Sequence, residues 1–146
     1  MTSAFDDISP GDELWVINGH QTSAFEANVV EVGERTIVAT VPEKHGDQKL
    51  FFSRNSGQAV VGGSFLARDD DWRVKVILDR KDHAQWHEKI IQLTAAYKKD
   101  PTAENGYALT DAVEDWRTFV TTEADPVALR VDSVDEYLAE KVVASV

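Results

Sequence analysis

The hydrophobic pattern changes period once, near residue 80, and this constrains the fold more than any other feature of the chain. Before it, apolar and polar residues alternate in short runs broken by glycine, proline, asparagine and aspartate, the mark of half-buried strands. After it, apolar residues recur at spacings of three and four, the mark of helices with one buried face. The chain therefore reads as α+β, with strands over 1–78 and helices over 79–146.

Strands are expected at Glu13–Ile17, Phe25–Val32, Arg35–Val41, Lys49–Ser53 and Ser64–Arg68, with a last one over Trp72–Leu78. In the second, Ala27 and Val29 cannot share a face with Val30 and Val32, so a bulge is expected between Val29 and Val30. Gly33-Glu34 joins that strand to the next as a hairpin. About 75 residues are too few for two packed sheets, so these short strands favour a small SH3-like barrel. Asp82 is the expected cap of a first helix, whose stripe is Trp86, Ile90, Leu93 and Tyr97. Asp100-Pro101 ends it, and Asn105-Gly106 marks a loop. Thr110 opens a second helix with Ala112, Val113, Trp116, Phe119 and Val120 on its apolar face. The two form a helical hairpin, and a short C-terminal helix opens on the capping box Ser133/Glu136.

Composition removes several function classes. The 146 residues include no cysteine, which excludes disulfides, Cys-ligated zinc and thiol catalysis. No apolar run reaches the ~18 residues of a membrane span, and Met1–Pro10 lacks the features of a signal peptide, so a cytoplasmic protein is expected. The net charge of −11 argues against general affinity for nucleic acid. Residues 1–99 hold fifteen acids and twelve bases, and residues 100–146 hold eleven acids and three bases. The last third therefore carries −8 of the total, and it offers an acidic helical face to a basic protein partner. Asp111, Glu114, Asp115, Asp132, Asp135 and Glu136 are its expected contributors. The helices also offer a surface for self-association.

Pro10-Gly11-Asp12-Glu13-Leu14-Trp15-Val16, the run Val29–Val38 and Phe52-Ser53-Arg54-Asn55-Ser56-Gly57 together resemble an SH3-like barrel pattern. The chain resembles small proteins of actinobacterial phages that pair such a barrel with helices, and Leu109–Val113 is similar to the start of their closing helix. The resemblance implies the fold and a phage setting, and no activity. Pro10-Gly11-Asp12 is also similar to the opening of mRNA-cleaving toxins built on this barrel. Those toxins continue into an Arg-Pro pair where this chain has Glu26-Ala27-Asn28-Val29, so their catalytic arginine is missing. RNA-polymerase-binding regulators with a Tudor-like domain share the architecture, but their helical part is basic.

Catalytic constellations are absent from the pattern. His83 and His87 lie four apart on a helix, as in H-E-x-x-H sites, yet the intervening triplet Ala84-Gln85-Trp86 lacks the glutamate, so no metal is expected. Asp69-Asp70-Asp71 lacks the spaced ligands of a calcium loop, and no phosphate-binding glycine loop occurs. Trp15, Phe51 and Arg54 are the candidates for a ligand groove on the barrel. Arg68, Arg73, Lys75, Arg80 and Lys81 form the one basic cluster, interrupted by the three aspartates. The reading is a protein without enzymatic activity or cofactor. It binds and modulates a host or phage protein through its acidic helices or barrel face. The alternative is a nucleic-acid- or polymerase-associated regulator.

Overall fold

The computed structural model describes residues 5–42 and 46–144. Two compact units divide the chain, Met1–Ile77 and Leu78–Val146. Five antiparallel strands make up the first: β1 (Glu13–Ile17), β2 (Ala24–Val32), β3 (Thr36–Val41), β4 (Gln48–Ser53) and β5 (Phe65–Ala67). Their order is β4-β3-β2-β1-β5, a β1–β4 meander to which β5 crosses over to pair with β1, curled into a half-barrel. The expected bulge is present, because the β2–β3 register shifts between Val29 and Glu31 and leaves Val30 as the extra residue. That shift allows Val29 and Val32 to share the concave face, three positions apart.

Leu14, Val16, Ala27, Val29, Ile37, Ala39, Val41, Phe52 and Leu66 fill the concave side. Phe5 and Ile8 complete this core from the N-terminal segment. Gly57–Val60 bridges the two edge strands near Phe5: Phe52 pairs with Ala59, and Gln58 with Phe65. Gly57 sits at φ +78°, and a Cβ there would lie 2.5 Å from the Phe5 ring, so only glycine fits. Arg54 ties this end down by donating to the carbonyls of Phe5, Asp6 and Gly33. The convex side is also covered at β1 and β5, where Ile17, Phe65 and Ala67 are buried.

The segment expected as a last strand is helical. Helix α1 runs from Trp72 to Lys99, beginning ten residues before Asp82. Asp71 starts it by accepting the Arg73 N–H at 2.9 Å, and the Arg73 guanidinium lies 4.6 Å over the Phe65 ring. Consecutive Val76 and Ile77 are both buried, which a strand with one buried face cannot achieve. Helix α2 spans Ala103–Thr118, not Thr110 onward, and is capped by Thr102, whose hydroxyl accepts the Asn105 N–H. The expected Asn105-Gly106 loop is thus the first turn of α2, and Asn105 Nδ2 donates to the Asp100 carbonyl. A π-helical turn, Phe119–Glu123, continues α2. Then come α3 (Pro126–Arg130) and α4 (Val134–Ala144). Ser133 caps α4 as expected, accepting the Glu136 N–H, while the Glu136 carboxylate accepts the Asp132 N–H.

α1 and α2 form the expected antiparallel hairpin. His83 faces Trp116 with ring centroids 6.3 Å apart, and Tyr97 lies against Gly106. Asp79, His83, Trp86, Ile90, Leu93 and Tyr97 follow a strict four-three heptad, as do Asn105, Leu109, Ala112, Trp116 and Phe119. A two-in-seven stripe is narrow, so Trp86, Ile90, Leu93, Leu109 and Trp116 stay half-buried.

Candidate functional site

The half-barrel is plugged at one end and open at the other. Phe5, Ile8 and Gly57–Val60 close the first end. At the second, β3 and β4 part from β1 and leave a cleft of about 310 Å³ lined by Val16, Phe25, Val41, Gln48, Leu50 and Ser64, with Asn18 and Pro42 at its rim. Strand register explains why these side chains meet. Phe25 pairs with Val16, Leu50 with Ala39 and Gln48 with Val41, so all point to the concave side where the core lies. Phe25 is nevertheless 53 % exposed, because no described residue of this unit covers it. An interior position holding a half-exposed phenylalanine is an uncovered piece of core.

On the convex side, Phe51 is 52 % exposed and neighbours exposed Val60, whose N–H donates to the Phe51 carbonyl. Apolar surface is therefore exposed on both faces of the sheet, Phe25 on the concave side and Phe51 with Val60 on the convex side.

Trp15, Phe51 and Arg54 do not share a groove. Phe51 is on β4 and Trp15 on β1, with two strands between them, and Arg54 is spent on the three N-terminal and turn carbonyls. Trp15 points outward beside Glu26 and donates its indole N–H to Asp69 at 3.1 Å. It lines a cleft of about 330 Å³ with Glu13, Glu26 and Asp69. A neighbouring depression adds Asp7, Asp12 and Asp70. The barrel thus has an acidic surface that segment charge counts hide, because its carboxylates come from four separate stretches of chain. Arg68 pairs with Asp7 at 2.5 Å and, through the side-chain hydrogen bond, holds that carboxyl below its ordinary range.

Asp111, Glu114 and Asp115 lie exposed on the face of α2 away from its seam, and Glu114 sits 3.6 Å from Arg117. Asp132, Asp135 and Glu136 gather at the start of α4, where the helix dipole and the capping box account for acids. Of the basic cluster, Arg68 is paired with Asp7 and Arg73 with Asp71, so less positive charge is free there than the sequence suggests. Their hydrogen bond lowers Asp71 and raises Arg73 from their ordinary values. His83 lies in the hairpin seam and His87 is exposed, and among the described residues no three His, Asp or Glu side chains gather to hold a metal ion.

One polar cluster escaped the sequence. Asp79 is buried on α1 and accepts the Asp125 N–H at 3.0 Å. Asp125 caps α3 at Val127 and accepts the Tyr137 hydroxyl at 2.5 Å, with Lys141 at 3.6 Å. Burial pushes the Asp125 carboxyl up, but the Tyr137 hydroxyl, the Val127 N–H and Lys141 outweigh it and leave the group below its usual value. Burial and then the Asp125 carboxylate push the Tyr137 phenol up to about 12. The cluster fastens α1, α3 and α4 together.

No helix among the described residues is long and apolar enough to cross a membrane. No family model, curated protein or solved structure matches the chain.

Proposed function

We propose that this is a non-catalytic binding protein whose open barrel end receives a segment of a protein partner. The single observation that carries the reading is the half-exposed Phe25 at a core-facing position, within a cleft lined by Val16, Val41 and Leu50. Leaving such residues wet in a free chain is unfavourable, at about 25 cal/mol per Å² of apolar area, and a partner that covers them recovers it. Five short antiparallel strands curled into a half-barrel suit the SH3-like class, and the resemblance to phage proteins of that class supports a host or phage protein as partner, met in the host cytoplasm. The acidic face of α2 serves encounter rather than docking, since long-range attraction raises association rates more than it adds affinity.

The test is capture from bacterial lysate with tagged wild type and with Phe25→Ser. The expected result is one stoichiometric protein retained by wild type and lost by Phe25→Ser, with both chains melting at the same temperature. Equal retention by the two contradicts the reading.

A further inference from the structure

Resting on that reading, we infer that the partner binds as an extended strand added to the outer edge of β4, with alternate side chains entering the cleft. The backbone of β4 carries the argument. The Arg54 N–H donates toward β3, to the Arg35 carbonyl, whereas the Ser53 N–H and the Phe51 carbonyl turn the other way and bond Gln58 and Val60. Odd-numbered residues of β4 therefore direct their backbone groups to the outer edge. By that alternation the N–H and C=O of Lys49 and the N–H of Phe51 face outward, and Gly57–Val60 has ended before reaching Lys49. Among the described residues, no backbone partner meets them there. Such an edge is a template for another extended chain.

Side chains define what that chain carries. Residues of an added strand point alternately to the two faces of the sheet. On the concave face they meet Leu50, Val41, Val16 and Phe25; on the convex face they meet Phe51 and Val60. Apolar residues thus suit both sets of positions. Lys49 is exposed and, among the described residues, has no ion-pair partner and stands beside a cleft whose lining carries no charged side chain. The complementary residue opposite it is a glutamate or aspartate. The occupant is an apolar, strand-forming segment with one acid. A second copy paired Lys49 to Lys49 would set like charges side by side.

The probe is a blocked octapeptide alternating valine and threonine around one central glutamate, titrated into the isotope-labelled full chain and followed by amide shifts and hydrogen exchange. We expect saturation with a Kd below ~1 mM, shifts at Val16, Phe25 and Leu50, and at least tenfold slower exchange of the Lys49 and Phe51 amides. Lys49→Pro removes an N–H that β3 does not use, so the fold tolerates it, and affinity falls at least tenfold; Lys49→Ala loses only two- to threefold. If Lys49→Pro lowers the melting midpoint, the octapeptide N-methylated at its edge-facing residues replaces it, with the same expected loss. No binding at ~1 mM, or equal binding by Lys49→Pro or by the methylated peptide, overturns strand addition. Shifts in the cleft with unchanged Lys49→Pro affinity would sink the edge while leaving the open barrel end as the site. A free chain that sediments as a dimer, and as a monomer after Lys49→Pro, would give the edge to a second copy and also overturn it.

Discussion

The two units bury their apolar residues in different ways. In the half-barrel, each strand has its own inward face, and curvature turns those faces toward one another, so Phe52 and Ile37 are fully buried. In the hairpin, two heptad stripes meet along one line, and Ala112 is the one buried residue of α2. Large seam residues such as Trp86 and Trp116 keep a flank in water. A curled sheet of five short strands makes a three-dimensional core, whereas two helices make only a seam. The barrel's exposed phenylalanines are therefore exceptions that call for an explanation, while half-exposed aromatics along the hairpin do not.

The sharpest way to break this contrast is to truncate one large residue in each unit. Phe52→Ala should cost about 3–5 kcal/mol, the usual range for a fully buried phenylalanine, and should unfold the barrel in mild denaturant. Trp116→Ala should cost roughly half of that, because one flank of its ring is already wet. Chemical denaturation of both variants checks the ranking, and equal losses would mean that the hairpin seam is as dry as the barrel core. Gly57→Ala should cost about as much as Trp116→Ala, about 1–3 kcal/mol, because its methyl group would collide with Phe5 at a positive φ.

A smaller effect belongs to the polar cluster. Tyr137→Phe should cost about 1–2 kcal/mol, the worth of a hydrogen bond to a carboxylate. Because the folded phenol is raised to about 12, its contribution is complete below the ordinary value of 10 and is lost as pH climbs through about 12. Asp125, lowered in the fold, contributes above its unfolded value of 3.8 and loses that contribution as pH falls through its folded value. Melting midpoints of wild type should decline between pH 10 and 12 by more than those of Tyr137→Phe.

The smallest expected change in stability, within about 0.5 kcal/mol, comes from Asp115→Lys with Asp135→Lys on the exposed helical surface. Association with the captured partner should slow at 50 mM salt and converge on wild type near 1 M, where the Debye length is ~3 Å. Equal rates at low salt would leave these carboxylates as solvated surface.

Much of the barrel was legible because alternation is a local signal. The strand limits, the hairpin at Gly33 and the bulge at Val30 all follow from side-chain parity within β2 and β3. The Ser133/Glu136 cap was equally local. The start of α1 was not: Trp72, Val74, Val76 and Leu78 alternate as a strand would, and only burial of Val76 and Ile77 together reveals the helix. Asn105-Gly106 carries a turn signature, yet Thr102 had already capped the helix and Asn105 bonds back to Asp100. Phe51 was correctly placed on a surface, but its partners were not, since Arg54 reaches carbonyls far away in sequence. The cleft depends on where β4 leaves its neighbours, a long-range property. One local sign existed, because Gln48 occupies the inward parity of β4 beside Leu50 and Phe52, where a closed core would exclude an amide.

Hydrogen exchange on the captured complex, compared with the free chain, tests the open barrel end most directly. The account predicts new protection at Lys49 and Phe51 and around Phe25, with the amides of α2 and α4 unchanged. Protection confined to Asp111–Arg117 or Asp132–Glu140, with β4 exchanging as freely as before, would contradict it and move the docking surface to the helices.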